Sequence, residues 1–147
     1  MANRTARLGL PLIEPDQAQK ELTHNEALVI LDTVTCLAVG GAPRDEPPGD
    51  PAAGQCWIVG PAPRGAWAGR TDQVAAWTSG GWRFVAPQEA MVAWDVQNRI
   101  ILRYQSGAWK APASVTIPAA TGGGDGEARQ AIAGLAGALR AQGLLAG

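Results

Sequence analysis

Tryptophan recurs beside glycine between residues 65 and 94, in the stretch GAWAGRTDQVAAWTSGGWRFVAPQEAMVAW. Glycine supplies the backbone conformations of tight turns, and tryptophan is enriched in strands. Over the whole chain of 147 residues, 19 glycines and 11 prolines interrupt the sequence. Such frequent breaks favour many turns and short strands over long helices. The sequence therefore predicts a mainly β fold, either a small antiparallel meander or a barrel-like sheet.

Composition along the chain predicts four segments. Apolar residues interrupted by proline indicate an extended arm, which we expect to lie along another protein chain. A β-rich domain with a leading helix follows, and then a glycine-rich linker and a C-terminal helix. The predicted bounds are residues 1–15 for the arm, 16–118 for the domain, 119–126 for the linker and 127–147 for the helix.

The leading helix is predicted over residues 24–32, with an earlier turn around residues 16–20. Thr23 and Glu26 match a capping box, in which each side chain binds the backbone N–H of the other residue. The apolar residues of this helix fall on one face, at a spacing that predicts contact with the core. They are Leu28 and Leu31, with Ala27 beside them.

The strands are predicted where β-branched or aromatic residues alternate between turn residues. A strand is expected in TVTCLAVGG and another in QCWIVG. A hairpin is expected around Ser79, Gly80 and Gly81, because glycine tolerates the positive φ angles of tight turns. Residues 91–112 predict a meander with turns at 97–98 and 106–107.

The C-terminal helix carries a narrow apolar stripe of Ile132, Leu135 and Leu139. A helix of this length is marginally stable in water on its own. Its stripe therefore needs a partner, and the narrow width favours copies of itself, as in a coiled coil. The alternative is that the helix folds back on its own domain and covers an open sheet face.

The six tryptophans divide into core and surface candidates. Trp57 lies in an apolar strand and is expected in the core, together with Trp82 and Trp94. Trp67, between glycines, and Trp109, at the end of the meander, are expected to be exposed. Trp77 has no clear position. The candidate ligand or subunit contacts are Trp67, Trp109 and Trp77, because exposed tryptophans anchor protein interfaces and can hold sugar rings.

Few residues suit catalysis or metal binding. The only histidine, His24, stands near a helix start in polar company, and Cys36 and Cys56 read as buried thiols. No catalytic residue, cofactor or metal site is expected, so the chain is not predicted to be an enzyme. No pair of acidic residues stands out as a glycosidase pair. The candidates considered are Glu14, Asp16, Glu21, Glu26, Asp32, Asp72, Glu89 and Asp95.

Charge and hydropathy exclude further classes of protein. The net charge is −1, and the basic residues are scattered, so nucleic acid is not expected as a partner. No apolar run approaches the roughly 20 residues that a membrane span needs, so membrane insertion is not expected. The segment TGGGDG lacks the Gly-Lys-Ser/Thr ending of a phosphate-binding loop and is read as a flexible linker.

Several motifs together resemble a known domain family. They are PLIEPDQAQKELTHNEALVILD, GQCWIVG, GAWAG, GGWRFVAPQEA and SGAWKA, within residues 8–112. The family has no known biochemical activity and occurs in tailed bacteriophages and in the gene transfer agents of alphaproteobacteria, in tail-fibre-like proteins and head spikes. Ala90 departs from the glycine expected after Pro-x-Glu. The C-terminal helix also resembles the short tail that ends many such particle proteins.

The resemblance implies a structural virion protein, made in the bacterial host cytoplasm and placed on the tail or at a capsid vertex. Part of a tail fibre or head spike, it would serve particle assembly and host attachment. Its implied partners are copies of itself, as a trimer or alternatively a pentamer, and other tail or capsid proteins. A lectin-like module that binds host surface polysaccharide through exposed tryptophans is the alternative. A cell-wall-degrading enzyme is a third option.

Overall fold

The structure is a computed structural model, and it describes residues 4–8, 10–13, 20–114 and 125–146. It confirms a mainly β fold with one helix before the strands and one after them. In chain order the elements are α1 (Lys20–Val34), β1 (Ala38–Val39), β2 (Cys56–Ile58), a 3₁₀ turn (Gly65–Trp67), β3 (Val74–Thr78), β4 (Gly81–Val85), β5 (Val92–Asp95), β6 (Ile100–Gln105), β7 (Ala108–Lys110) and α2 (Gly126–Ala141).

The strands form two sheets, one of four strands in the order β1-β5-β6-β7 and one of three in the order β2-β3-β4. The predicted hairpin is confirmed: Thr78 pairs with Gly81 across a two-residue turn. The meander of β5, β6 and β7 is also confirmed, with antiparallel pairing throughout. β1 pairs with β5 in parallel, and the two sheets do not close into a barrel within the described residues.

The main core lies between the two sheets. Because side chains alternate along a strand, each sheet contributes one face to it. A buried aspartate closes the turn at one end: Asp95 accepts hydrogen bonds from the backbone N–H groups of Gln97 and Asn98, both at 2.9 Å. The buried residues of this core are Leu37, Val39, Cys56, Ile58, Val74, Ala76, Ala93 and Leu102.

The bounds of α1 differ from those predicted. The helix begins at Lys20, so Thr23 lies inside it and the predicted capping box is wrong. At the other end the helix continues to Val34, and the strand expected in TVTCLAVGG shrinks to two residues. A residue distant in sequence contacts this end of the helix: the Arg7 guanidinium donates to the backbone carbonyls of Asp32 and Thr33, both at 2.7 Å. Bonding at these otherwise unpaired carbonyls stabilises the last turn.

The described part of the arm packs on its own domain. The buried Asp32 carboxylate accepts hydrogen bonds from the Thr5 hydroxyl, at 2.9 Å, and from the backbone N–H groups of Arg7 and Leu8. Farther along, the Asn25 side chain both donates to and accepts from the backbone of Ile13, at 2.9 Å each. These residues therefore contact their own domain, and the expectation that the arm lies along another chain stays a prediction. Residues 14–19, including the turn predicted there, lie outside the described part.

The end of α2 packs on the four-stranded sheet. The carbonyl of Gly143 accepts a hydrogen bond from the backbone N–H of Ile101, at 3.0 Å. Gly143 has a positive φ of 69°, and a Cβ there would lie 2.7 Å from the Trp94 ring. Only glycine fits both constraints. The predicted linker lies outside the described residues except for its last two, and neither described helix is long and apolar enough to cross a membrane.

Substituting glycine at Ala90 tests the turn before β5. Ala90 has a φ of 69°, in the region that favours glycine, and its N–H donates to the Tyr104 carbonyl at 2.9 Å. We expect Ala90→Gly to raise the free energy of unfolding by about 1 kcal/mol, because it removes the strain of a Cβ at this φ. Urea denaturation measures the change. Ala108→Gly in β7, where φ is not positive, is the matched control and should lower stability instead. A loss of stability at both positions would contradict this interpretation.

Candidate functional site

Four tryptophans gather on the outer face of the three-stranded sheet, away from the main core. Trp57 and Trp77 project from β2 and β3, and Trp82 projects from β4 directly opposite Trp77. Trp67 reaches the same face from the 3₁₀ turn. Its ring centroid lies 5.2 Å from that of Trp82 and 6.4 Å from that of Trp57. We call these four residues the tryptophan cluster.

Trp67 is the centre of the tryptophan cluster and is fully buried. The prediction that it is exposed is wrong. Its flanking glycines, Gly65 and Gly69, both have positive φ angles and fold the loop over the sheet, which turns the indole inward. The Trp67 indole N–H has no hydrogen-bond partner within the described residues. Its ring is packed edge-on against Trp82, with 82° between the ring planes.

The outer side of the cluster remains partly open to solvent. Trp77 and Trp82 are half-buried, with ring centroids 4.9 Å apart. Phe84 follows on the same face of β4, and the Arg70 guanidinium lies 4.8 Å above its ring. These three half-buried rings form an aromatic surface. Trp57 is in the core as predicted, whereas Trp82 is only partly covered.

Trp109, predicted to be exposed, is half-buried and packs against the main core. Its indole N–H donates to the backbone carbonyl of Asp72, at 2.8 Å. This hydrogen bond joins β7 of one sheet to the loop before β3 of the other. Trp94, predicted in the core, lies on the opposite face of β5 from the buried Ala93 and is half-buried. Both tryptophans therefore connect parts of the fold.

The acidic residues that are buried have structural partners. Asp32 binds the arm, and Asp95 closes its turn with a further hydrogen bond from the Asn98 side chain, at 2.7 Å. His24 and Glu26 are exposed on α1. Among the described residues, no three His, Cys, Asp or Glu side chains form a group that could hold a metal ion. Glu14 and Asp16 lie outside the described residues.

The two cysteines have different surroundings. Cys56 is buried as predicted, and burial raises the pKa of its thiol to about 11. Cys36 is exposed, so the prediction that it is buried is wrong. It lies in the turn after α1 with a φ of 50°, and its carbonyl accepts a hydrogen bond from Arg7. The arm thus holds Cys36 in a turn rather than in the predicted strand.

The residues predicted for oligomerisation differ in exposure. Ile132 is 55% exposed and Leu135 is 63% exposed, and we call this pair the α2 stripe. Leu139 is half-buried, and Ala136, one turn after Ile132, is buried. The helix therefore packs partly on its own chain. The α2 stripe, however, remains in solvent.

A second exposed apolar surface lies on α1, where sequence reasoning placed core contacts. Ile30 is 41% exposed and Leu31 is 52% exposed. They align with Ala27 and Val34 at positions i, i+3, i+4 and i+7, which share one face of a helix, and we call these four residues the α1 stripe. Leu31 and Ala27 were predicted to face the core but are exposed, whereas Leu28, predicted beside them, is half-buried. The side of α1 facing the domain carries Asn25, Asp32 and Thr33, with the half-buried Leu28 and Val29 beside them.

An apolar groove of about 500 Å³ continues from the α1 stripe. It lies between the end of α1 and the outer face of the four-stranded sheet, and we call it the outer groove. Val92, 42% exposed, and Trp94 line it from β5, and Ile101 lines it from β6. Cys36 lines it as well. The groove presents no charged side chain, so its lining suits an apolar partner.

A cleft of about 330 Å³ lies between the arm, α1 and the β3–β4 turn. Its central charged groups, Arg7 and Asp32, are occupied by the hydrogen bonds that join the arm to α1. The Thr78 hydroxyl, also in the lining, donates to the Gly81 carbonyl at 2.8 Å. These polar groups serve the fold, so the cleft is a weaker candidate site than the apolar surfaces.

Comparison with models of protein families gives a match. A family model described as a protein of unknown function (DUF2793) matches residues 24–110. The match runs from α1 through β7 and includes the tryptophan cluster and the outer groove. No curated protein matches the sequence of the chain.

Alanine substitutions within the tryptophan cluster test which ring supports the fold. We expect Trp67→Ala to lower the free energy of unfolding by about 3–5 kcal/mol, because it leaves a cavity where a fully buried ring was. Trp77→Ala, the matched control at a half-buried ring of the same cluster, should lower it by less than half as much. Guanidinium denaturation followed by circular dichroism measures both. Equal losses would show that Trp67 is not the central ring.

Proposed function

The chain belongs to the DUF2793 family, and from this premise we propose that it is a structural virion protein of a tailed bacteriophage or gene transfer agent. In this proposal it forms part of a tail fibre or head spike, assembles as a homo-oligomer and contributes to host attachment. It is made in the host cytoplasm and acts on the particle. The sequence resemblance to fibre and spike proteins is the source of the particle assignment.

The observation that carries the assembly proposal is the exposure of apolar residues on both helices. Leu31 and Leu135 are each more than half exposed, in stripes that also contain Ile30 and Ile132. Isolated exposed leucines are ordinary, but stripes at helical spacing mark contact surfaces. A protein that is permanently assembled keeps such stripes out of water. A tail fibre would be trimeric, and a spike at a capsid vertex would be pentameric.

The buried carboxylates support a structural role over a catalytic one. Asp32 and Asp95 each accept several hydrogen bonds from backbone N–H groups and neighbouring side chains. These bonds hold each carboxylate in one position within the fold. A general acid or base needs a group that is free to exchange a proton with a substrate. Asp32 and Asp95 instead accept hydrogen bonds that stabilise the fold.

A lectin-like function is the second candidate, and the aromatic surface of Trp77, Trp82 and Phe84 favours it. Half-buried rings on a sheet face can stack on sugar rings. Glycan-array binding by the isolated protein, lost in Trp77→Ala and kept in Trp109→Ala, would support direct polysaccharide recognition. Trp109 is the appropriate control because its indole is engaged with Asp72. An array without any bound glycan would exclude a lectin for the glycans displayed.

The particle assignment is tested on particles from the source strain. The protein should co-sediment with purified particles, and antibody labelling should place it on the tail or at a head vertex. Deleting its gene should leave filled particles that attach poorly to cells. Particles that contain no copy of the protein would overturn the assignment.

The assembly assignment is tested by charge substitution in the α2 stripe. We expect Leu135→Asp to dissociate the wild-type oligomer, because a carboxylate in an apolar contact is strongly unfavourable. Gln130→Asp is the matched control, since Gln130 is exposed about 140° around α2 from Leu135. Light scattering after gel filtration measures the mass. A monomeric wild type, or an oligomer unaffected by Leu135→Asp, would rule out α2 as the assembly element.

A further inference from the structure

The α1 stripe and the outer groove form one continuous apolar surface. Val34 belongs to both, since it ends the stripe on α1 and lines the groove beside Val92 and Trp94. The polar side of α1 faces the domain, so no rotation of the helix in place could bury the stripe without exposing Asp32. The surface is therefore fixed outward by the fold. Ile30 and Leu31 stay 41% and 52% exposed, so the described residues of the chain do not cover this surface.

The chain offers a matching apolar helix. The α2 stripe is exposed in the same molecule, and the end of α2 already packs on the sheet face that lines the groove, through Gly143 against Trp94 and Ile101. The α2 stripe itself does not reach its own groove, since Ile132 and Leu135 remain more than half exposed. The same chain therefore carries an apolar surface that a helix could fill, the α1 stripe with the outer groove, and an exposed apolar helix face, the α2 stripe.

We infer that the α2 stripe of one copy packs on the α1 stripe and outer groove of a neighbouring copy. This inference rests on the proposed homo-oligomer and names its contact. Pairing α2 with other copies of α2 would cover Ile132 and Leu135 but leave Leu31 and Val92 in water. A contact between the α2 stripe and the neighbour's α1 stripe and outer groove covers all four of these residues. Burial of apolar area therefore favours the second arrangement.

This contact joins two different surfaces, so it is heterologous in a trimer or a pentamer, the two assemblies proposed above. Each copy gives its α2 to one neighbour and receives the α2 of the other. A heterologous contact satisfies every copy only when the chain of contacts closes into a ring. Rings of three or five copies meet this condition, which is compatible with the symmetry of either a fibre or a vertex spike.

Substitution of Leu31 separates this arrangement from α2 self-association. We expect Leu31→Asp to raise the dissociation constant of the full-length oligomer by roughly tenfold or more, because it removes a leucine from the contact and adds a charge. Leu31 is 52% exposed, so the domain should stay folded, and circular dichroism verifies this. Leu31→Met keeps an apolar side chain of similar size and should leave the oligomer intact.

The outcomes at Leu31 and Leu135 decide different questions. Dissociation by Leu135→Asp but not by Leu31→Asp would overturn this inference and leave the proposed homo-oligomer standing. A monomeric wild type would overturn the proposed homo-oligomer itself. Dissociation by both substitutions is the expected result. Analytical ultracentrifugation across a range of concentrations distinguishes these cases.

Cross-linking then identifies the occupant of the groove. Cys36 lines the groove and is exposed, whereas burial and the raised pKa of Cys56 keep that thiol from reacting. In Leu135→Cys, a short bis-maleimide should join Cys36 of one copy to position 135 of another, as a mixture of isotopically light and heavy protein would reveal by mass spectrometry. Gln130→Cys is the control and should give little of this product. Cross-links only between like positions, or no cross-link between copies, would overturn the inference.

Discussion

Hydrogen bonds between the arm and Asp32 decide which side of α1 faces the domain. The Asp32 carboxylate is buried and binds Thr5, Arg7 and Leu8, and the Arg7 guanidinium in turn binds the last carbonyls of the helix. A buried carboxylate without partners would cost several kcal/mol. The helix therefore cannot turn its apolar side inward, since that would expose these bonds to water and leave the arm without its contacts. The outward direction of Ile30 and Leu31 follows from this one polar contact.

The two sheets differ in how completely the chain covers them. The three-stranded sheet has the main core on one face and the tryptophan cluster on the other, with Trp67 folded over it. The four-stranded sheet shares the main core, but its outer face is covered only in part, where Gly143 packs on Trp94. The outer face of the larger sheet keeps apolar side chains partly exposed, among them Val92 at 42%.

Local signals predicted local structure well, and long-range contacts account for the errors. The turn at residues 79–80 and the meander followed from glycine positions and alternation, because both depend on near neighbours in sequence. Of the three apolar residues predicted to face the core from α1, Leu31 and Ala27 are exposed and Leu28 is half-buried. The direction of this face depends on Arg7 and Thr5, more than twenty residues away. Trp67 was assigned to the surface because glycines flank it, yet its burial depends on contacts with Trp57 and Trp82. Local spacing carries no information about such partners.

The anchoring of α2 explains why a chain would carry a helix that does not fill its own groove. Gly143 fixes the chain on the sheet just after α2 ends at Ala141, and Leu135 lies six residues before that end, about 9 Å along the helix axis. A rigid helix held at one end presents its stripe at a distance from the anchor. The matched family region, residues 24–110, contains the α1 stripe and the outer groove but not α2. The α2 stripe and the surface it packs on are therefore separate parts of one chain. In the proposed arrangement, the α2 stripe of each copy packs on the α1 stripe and outer groove of the next copy.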